Sequence, residues 1–416
     1  MKPLSDKTAG FTDSVIRRMT RISNQYGAIN LSQGFPDFDP PKEIMDKLAE
    51  LAPIGPHQYA TTWGSQTIRE ALARKQKHFS GMDVDPDREI VVTCGGTEAM
   101  MAAMLTVCNP GDKVVIFSPF YENYGADAIL SGAEPIYVPL VPPTFSFDPN
   151  VLEEAFKQPK VKALILCNPS NPSGKVFTRE ELLIIADLVK RYDLYVITDE
   201  VYEHILYKPY EHVYMATLPE MRERTIICSS LSKTYSITGW RIGYVIASAE
   251  IAERVKKVHD FLTIGAAAPL MEAVVVGLNF GDEYYEKLQQ HYTHMKNLFC
   301  KGLHDIGLSF VEPQGAYYVM VDISEFGYSS DYEFAIDLAR KVGVGSVPGS
   351  SFFKEDVHDY VRFHFAKKDG TYLPVLDHGR IVENRYYGNV FYVLIMDCAL
   401  VESYYDNKIG LETVPE

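Results

Sequence analysis

The segment TIICSSLSKTYSITGWRIGYVIA, residues 225–247, joins two apolar runs through a connection rich in Ser and Thr. Both runs are apolar at consecutive positions, which is typical of strands covered on both faces of a sheet. Lys233 lies in the connection, eight residues before Arg241. A lysine desolvated at a strand end has a lowered pKa, and its neutral amine is then available to form a Schiff base. A single lysine is more often a solvated surface charge, so this segment alone leaves both interpretations open.

Similar apolar runs precede this segment, separated by helix-like stretches. They are EIVVT (89–93), KVVIFS (113–118), KALILC (162–167) and LYVIT (194–198). The stretch over 178–192 begins with Thr178 and Glu181, the capping box that is typical of a helix start. Repetition of strand, helix and strand predicts an α/β fold with a mainly parallel sheet. Its ligand site is expected at the carboxyl ends of the strands.

The pattern changes in the C-terminal part of the chain. A long helical stretch over about 248–305 leads to a strand-rich region over 309–323 and a helix near 331–342. This succession predicts a second, smaller α+β domain, with the boundary inside a helix. The predicted division is a large domain over 40–285 and a small domain over 1–39 and 286–416.

Composition excludes several classes of function. Of the 416 residues, 55 are acidic and 40 are basic, giving a net charge of -15 that repels nucleic acid. The six cysteines show no C-x-x-C spacing, which favours a reducing compartment, and the N-terminus shows no secretory signal. The longest apolar run, FYVLIM, is far shorter than the roughly 18 residues of a membrane span. We therefore expect a cytoplasmic protein without a membrane or nucleic-acid partner.

Three further motifs follow predicted strands. Directly before a helix, the turn GGT at 95–97 has backbone N–H groups that could bind an anion, although such turns are often only turns. The prolines of NPSNPSGK at 168–175 stiffen a turn that could aim a side chain or be a plain surface loop. The motif TDEVY at 198–202 contains Asp199, which could be a metal ligand, a base, a charge partner or a helix N-cap.

Together these motifs resemble those of the fold-type I, class I and II aminotransferases, which use pyridoxal 5′-phosphate (PLP). The resemblance runs from about Asn30 to Lys368, and SLSKTYSITGWRIG at 230–243 is its most specific segment. Three phrases are most similar to the kynurenine, glutamine and methionine aminotransferase branch: NLSQGFPDF (30–38), QYATTWGSQTIREAL (58–72) and VPGSSFF (347–353). The resemblance implies a mainly parallel seven-stranded sheet in the large domain.

The resemblance also assigns roles around the cofactor ring. Lys233 would bind PLP covalently as a Schiff base, and Asp199 would pair with the pyridinium nitrogen and keep it protonated. Asn171 and Tyr202 would hydrogen-bond the phenolic oxygen. Tyr121 would stack on the ring face. Lys233, Asp199 and Tyr202 are the expected catalytic residues.

The phosphate would lie in a separate cradle. Its expected parts are the backbone of Gly96 and Thr97, the hydroxyl of Ser230 and the guanidinium of Arg241. Tyr59 would reach this phosphate from a second subunit. The last assignment implies a homodimer.

The substrate would bind on the other side of the same site. Arg362 would hold the α-carboxylate through two parallel hydrogen bonds, which lysine cannot make. Asn171 would also contact the substrate, and Gly34 would let the backbone approach the carboxylate. The implied activity is transfer of the α-amino group from an aromatic, sulfur-containing or other neutral amino acid to a 2-oxo acid, in ping-pong fashion. Lys233 would move the Cα proton.

Two alternatives remain open at this level. The same site could cleave a C–S bond as a PLP β-lyase, or the chain could bind PLP without activity because its C-terminus departs from the family. Residues 369–416 are atypical, since Pro374 and Gly379 interrupt a long helix and 388–401 suits a strand equally well. His291 and His294 are expected to be solvated helix positions, so no metal site is predicted.

Overall fold

The computed structural model describes residues 1–9, 11 and 13–367, and the backbone of two short strands beyond them. The helices are α1 Val15–Tyr26, α2 Lys42–Leu51, α3 Gln66–Ser80, α4 Gly96–Val107, α5 Asn123–Ser131, α6 Pro149–Phe156, α7 Arg179–Arg191, α8 Ala249–Leu262, α9 Ala268–Leu278, α10 Asp282–Asp305 and α11 Asp331–Asp337. The strands are β1 Ile29–Asn30, β2 Ile90–Thr93, β3 Lys113–Ser118, β4 Glu134–Pro139, β5 Val161–Cys167, β6 Tyr195–Asp199, β7 Thr225–Ser230, β8 Gly243–Ile246, β9 Phe310–Val311, β10 Tyr318–Asp322, β11 Val344–Gly345, β12 Val347–Pro348, β13 Tyr360–His364, β14 Arg380–Asn384 and β15 Gly388–Tyr392.

A seven-stranded sheet forms the centre of the molecule, in the order β2-β8-β7-β6-β5-β3-β4. The strands run parallel except β8, which is antiparallel to both of its neighbours. The predicted α/β class and the mainly parallel seven-stranded sheet are confirmed. Strand β4 was not visible as an apolar run, because Pro135 and Pro139 interrupt it. It lies at the sheet edge, where the missing N–H of a proline needs no partner strand.

Both faces of this sheet are buried, which explains the continuous apolar runs. On β5, Leu164 and Leu166 pack against helices α6 and α7, whereas Ala163 and Ile165 pack against α4, α5 and α8. Helices α3 and α9 cover β2 and β8. Each fully buried aliphatic side chain contributes about 1.5–3 kcal/mol by leaving water. The loops at the strand ends are therefore carried by a rigid core.

Topology gathers the candidate motifs at one edge of the sheet. The carboxyl ends of the parallel strands β2, β3, β5, β6 and β7 lie on the same side. Since β8 runs in the opposite direction, its amino end lies there too. The turns after β2, β5 and β6 and the connection from β7 to β8 consequently meet, as ligand-binding loops do in open α/β sheets.

A second sheet lies in the C-terminal part, with the antiparallel order β12-β13-β10-β9. Its apolar face packs against α1 and α10 in one core. The N-terminal strand β1 pairs with β11, which supports the division that we propose: 40–285 as one domain, and 1–39 with 286–416 as the other. Helix α10 crosses this boundary.

One sequence expectation needs amendment, and another agrees with the structure where its residues are described. The long helical stretch over 248–305 consists of three helices, α8, α9 and α10, which break around Gly265 and Gly281. In the atypical segment 369–416, a strand is present over 388–392, within the predicted 388–401. The remainder of that expectation lies outside the described residues.

Gly243 tests how tightly the edge of the sheet is packed. A Cβ at this position would lie 2.6 Å from the backbone nitrogen of Gly96, at the start of α4. We expect Gly243→Ala to lower the melting temperature by several degrees, because such overpacking costs about 1–3 kcal/mol. The control is Gly239→Ala, since Gly239 is exposed and has no atom near its would-be Cβ. Equal melting temperatures for the two variants would contradict this packing.

Candidate active site

One cavity opens where the strand-end loops meet the N-terminal segment and β13. Its wall contains all but one of the predicted site residues: Gly34, Gly96, Thr97, Tyr121, Asn171, Asp199, Tyr202, Ser230, Lys233, Arg241 and Arg362. The exception is Tyr59, whose side chain is 83% exposed and lies in a shallow groove elsewhere on the surface. The structure therefore brings together residues that span more than 300 positions of sequence.

Asp199 ends β6 and supplies a buried carboxylate at the inner end of the cavity. Its Oδ2 accepts a hydrogen bond of 2.6 Å from the Tyr124 hydroxyl, and its Oδ1 accepts one of 3.2 Å from the Val201 amide. Burial raises the pKa of this carboxyl, and these hydrogen bonds oppose the rise. Within the described part of the chain, Asp199 forms no ion pair. A cation bound here would be strongly favoured.

Lys233 follows β7 and extends into the same cavity. Its Nζ donates a 3.0 Å hydrogen bond to the carbonyl oxygen of Gly34, and it lies 6.0 Å from the ring centre of Tyr202. Burial and the positive charge of Arg241 lower the pKa of the amine to about 8, whereas Asp199 opposes this shift. About a tenth of the amine is therefore neutral near pH 7, against less than about a thousandth for an ordinary lysine, and the neutral form is the one that acts as a nucleophile or a base.

The start of α4 has free backbone N–H groups that could form an anion-binding cradle. Gly95 precedes the helix without any side-chain cap, so the first N–H groups, at Gly96 and Thr97, remain available at the cavity wall. Arg241 packs over Gly95, where an added Cβ would lie 2.6 Å from the guanidinium carbon. With the Ser230 hydroxyl beside them, the helix dipole and this arginine suit a phosphate group.

Arg362 lies in the middle of β13 and is completely buried. Its Nη1 donates a 2.6 Å hydrogen bond to Asn171 Oδ1, and its Nη2 donates a 2.8 Å bond to the Ser32 carbonyl. The rings of Tyr318 and Phe352 lie on the guanidinium, with centres 4.2 and 4.6 Å from its carbon. Arg362 makes no salt bridge with any residue that the structure describes. Its orientation is fixed while its charge is available for an incoming carboxylate.

Gly34 lines the same cavity as this arginine, at a position that leaves no room for a side chain. A Cβ on Gly34 would lie 2.6 Å from a ring carbon of Tyr318, so a larger residue would displace the loop or the ring. The Gly34 carbonyl accepts hydrogen bonds from Lys233 and, at 2.9 Å, from the Tyr317 hydroxyl. The loop over 31–35 is thus fixed between the lysine and the second sheet.

Several cavity residues were missed from the sequence: Arg17, Glu122, Tyr124, Asp127 and Tyr318. Tyr124 and Asp127 lie three residues apart on α5, so helical spacing could have indicated that they share a face. No sequence signal joins the N-terminal segment to Glu122, whose carboxylate accepts hydrogen bonds from the Val15 amide and the Ser14 hydroxyl. This contact closes the cavity from the N-terminal side.

His291 and His294 lie on α10, away from this cavity. Among the residues that the structure describes, no group of three or more His, Cys, Asp or Glu side chains is arranged to hold a metal ion. Over the same residues, no helix is long and apolar enough to cross a membrane.

Comparison with known proteins identifies the family of this chain. The sequence pattern of the family described as "Aminotransferase class I and II" matches residues 26–376. The chain belongs to this aminotransferase family. The methionine aminotransferase of Escherichia coli K12 is 35% identical over 361 residues, 86% of this chain and 93% of that protein. Kynurenine–oxoglutarate transaminase 3 of Mus musculus is 33% identical, over 87% of this chain and 86% of its own length.

A solved structure agrees with these sequence relatives. The N-succinyldiaminopimelate aminotransferase of Mycobacterium tuberculosis superimposes with a TM-score of 0.85 at 35% identity, covering 88% of this chain and 96% of that one. The protein is therefore a PLP-dependent aminotransferase in the branch that contains methionine and kynurenine aminotransferases. Its cavity fits PLP, because it offers an amine, an anion cradle and a buried carboxylate without a cationic partner. The buried Ser232 hydroxyl, which also lines the cavity, has no hydrogen-bond partner among the described residues.

The lowered pKa of Lys233 is directly measurable. In protein freed of PLP, we expect acetylation of Lys233 to follow a titration with a midpoint near pH 8, against about 10.4 for an ordinary lysine. Arg241→Gln removes a repelling positive charge and should raise this midpoint. Asp199→Asn removes an attracting negative charge and should lower it. Quantitative mass spectrometry of the Lys233 peptide makes the measurement, and an ordinary midpoint in the unsubstituted protein would contradict the assignment.

Proposed function

We propose that this aminotransferase moves the amino group of a neutral α-amino acid to a 2-oxo acid, with Lys233 as its covalent anchor for PLP and its proton carrier. The observation that carries the proposal is the placement of Lys233 in one cavity with Asp199 and Arg362. Its amine has a pKa of about 8 there. These three groups are an amine, an anion and a carboxylate receptor, which are the functions that amino-group transfer requires.

The residues around the ring end of the cavity hold the cofactor. Bound PLP supplies an electron sink for the electrons released at the substrate Cα. Asp199 pairs with the ring nitrogen, and Tyr121 packs on the ring face. The Asn171 side-chain oxygen already accepts from Arg362, so its NH₂ group remains as a donor to the phenolic oxygen. The Tyr202 hydroxyl, 2.9 Å from that of Tyr318, is the second donor.

The phosphate end uses backbone and side chain together. The uncapped N-terminus of α4 offers the amides of Gly96 and Thr97, and Ser230 and Arg241 complete the cradle. Tyr59 is exposed and does not line the cavity of its own chain. In this proposal it therefore contributes to the phosphate cradle of the second subunit.

In this proposal, Arg362 binds the substrate and Lys233 transfers its proton. The Arg362 guanidinium forms two parallel hydrogen bonds with the α-carboxylate and so fixes the Cα–H bond relative to Lys233. The neutral Nζ of Lys233 would accept the Cα proton and hold it for its return, so that one base would serve both transfers. The two half-reactions use the same residues in opposite order, which gives ping-pong kinetics.

The donor amino acid has an apolar or aromatic side chain in this proposal. Ile16, Phe35, Met100, Tyr121 and Val201 line the cavity beside the polar groups. Such a wall favours apolar groups by the area that they remove from water. Relatives that are named for methionine and kynurenine support the same substrate class.

A homodimer is part of the proposal. Large apolar side chains are exposed in neighbouring segments of the surface: Ile54, Tyr59, Phe261, Leu262 and Ile264. Tyr59 and Ile264 line one shallow groove, and Phe261 is 95% exposed. A monomer rarely leaves such an apolar patch exposed to water, so we propose that a second copy of the chain covers it.

We also propose a cytoplasmic location, which the free thiols of the five described cysteines support.

Isotope transfer tests the reaction itself. With a ¹⁵N-labelled methionine, phenylalanine or kynurenine donor and an excess of 2-oxo acid, we expect the label in the amino acid formed from that acceptor. The relatives' names do not favour a C–S lyase or an inactive PLP-binding protein. Pyruvate and free ammonia from cystathionine without an acceptor would support the lyase instead. Absence of transfer from every donor would contradict the proposal.

Arg362→Lys separates the guanidinium geometry from its charge. The lysine keeps one positive charge but loses the two parallel bonds, so we expect kcat/KM for the donor to fall about 30- to 100-fold through KM. PLP affinity should stay unchanged, because Arg362 is assigned to the substrate. Steady-state kinetics measure the effect, with the exposed Arg340→Lys on the same domain as the control. An unchanged KM would remove Arg362 from the substrate site.

Phe261→Asp tests the proposed subunit contact. A charge placed in a buried apolar interface should dissociate the dimer and weaken PLP binding, because Tyr59 of the second subunit is then lost from the phosphate cradle. Sedimentation velocity reads the mass, and the control is Val141→Asp, at a 57% exposed position beside the edge strand β4. A Phe261→Asp variant that sediments like the unsubstituted protein would contradict the assignment of this surface.

A further inference from the structure

A second carboxyl group, Asp127, lies at the inner end of the cavity and has no role in the mechanism above. It is on α5, one turn after Tyr124, and lines the cavity together with Asp199. Its side chain is only 4% exposed, and its Oδ2 has no hydrogen-bond partner among the described residues. Nor does Asp127 form an ion pair with any of them. Burying a carboxylate in this way is costly, so the position requires an explanation.

The titratable groups facing Asp127 are acidic or neutral. Among the described residues, Asp199 on β6 and Cys228 on β7 interact with it electrostatically, and burial and these carboxylates raise the pKa of the Cys228 thiol. Tyr124, on the same helix as Asp127, donates its hydroxyl to Asp199. The positive charge of Lys233 lowers the pKa of Asp199, but it does not offset the negative charge of Asp127. Two carboxylates in such surroundings cannot both be ionised at low cost, so they share one proton over part of the pH range.

Hydrogen bonding decides which carboxyl holds that proton. Asp199 accepts hydrogen bonds from the Tyr124 hydroxyl and the Val201 amide, and both favour its ionised form. Oδ2 of Asp127 accepts none within the described chain. Burial, followed by the charge of Asp199, raises the pKa of Asp127 to about 7. As the pH falls below about 7, Asp127 is therefore the carboxyl that takes up the proton first in the PLP-free protein.

We propose that Asp127 is a positioning residue for PLP, which releases its proton when the protonated ring nitrogen binds at Asp199. The ionised Asp127 then adds a second negative charge near the ring nitrogen and helps Asp199 to keep that nitrogen protonated. The O–H bond of Asp127 breaks and its proton passes to a solvent base, so the pyridinium brings one positive charge while one proton leaves. The inference rests on the proposed function, in which Asp199 pairs with the ring nitrogen.

Proton release on PLP binding tests the inference. The full chain is freed of PLP and titrated with PLP in buffers of different ionisation enthalpy, and calorimetry gives the protons exchanged. At about pH 6, the unsubstituted protein should release close to one proton more than Asp127→Asn, because an asparagine has no proton to lose. At about pH 8.5 the difference should vanish, because Asp127 is already ionised without PLP. Equal proton counts at about pH 6 would overturn the proposal.

Affinity gives an independent measurement. At about pH 8, Asp127→Asn should bind PLP at least about tenfold more weakly, since only one carboxylate then faces the pyridinium. The ratio of the two affinities should shrink as the pH falls. The exposed Asp46→Asn on α2 is the matched control, and it should behave like the unsubstituted protein in both experiments. Equal affinities at about pH 8 would also contradict the proposal.

Stability of the PLP-free variants controls for misfolding. When folding raises the pKa of a carboxyl, the folded state loses stability as the pH rises above the pKa of the unfolded state. This loss of stability continues until the pH reaches the pKa of the folded state. Asp127→Asn and Asp127→Ser should therefore lose less thermal stability than the unsubstituted protein between about pH 5 and 8. A parallel decline in all three would contradict an ionising, uncompensated Asp127.

Asp199→Asn separates this inference from the proposed function. If Asp199→Asn weakens PLP binding while Asp127→Asn matches the unsubstituted protein, only the role of Asp127 fails. If Asp199→Asn leaves both PLP affinity and proton release unchanged, the pairing of Asp199 with the ring nitrogen fails, and the inference fails with it.

Discussion

The remaining features of the site depend on a buried carboxylate that forms no ion pair within the described protein. Asp199 ends the central strand β6, where the sheet and helix α5 remove it from water while two hydrogen bonds orient it. Such a group stabilises a bound cation more strongly than any surface carboxylate could, because the low dielectric strengthens the attraction. The same burial depresses the pKa of Lys233, so one environment prepares both the cation receptor and the nucleophile.

The topology of the central sheet brings the other groups of the site close to Asp199. Five parallel strand ends and the start of the antiparallel β8 meet at one edge, so an amine, an anion cradle and a carboxylate come from different turns over one rigid core. The second sheet adds Arg362, held between two aromatic rings. In the proposed function, Arg362 and the cofactor-binding turns thus come from separate parts of the chain. Their relative position is fixed by contacts such as the hydrogen bond from Lys233 to the Gly34 carbonyl.

Sequence reasoning predicted the parts of this site that carry local signals. Consecutive apolar runs indicated the buried strands, and the motif around Lys233 and Arg241 indicated the family through resemblance. Strand β4 was missed because prolines interrupt it, and Glu122 was missed because its partners lie more than 100 residues earlier. Asp127 was missed because an aspartate on a helix usually faces water, and only tertiary packing reveals its burial. Long-range packing and electrostatics are therefore what the sequence alone could not supply.

The covalent attachment of PLP is the most direct test of this account. The purified protein is reduced with borohydride, digested and mapped by mass spectrometry. We expect a pyridoxyl group on Lys233. In Asp199→Asn protein that no longer binds PLP, we expect this group to be absent. A protein that carries no pyridoxyl group, or carries it on another lysine such as Lys367, would contradict the central claim.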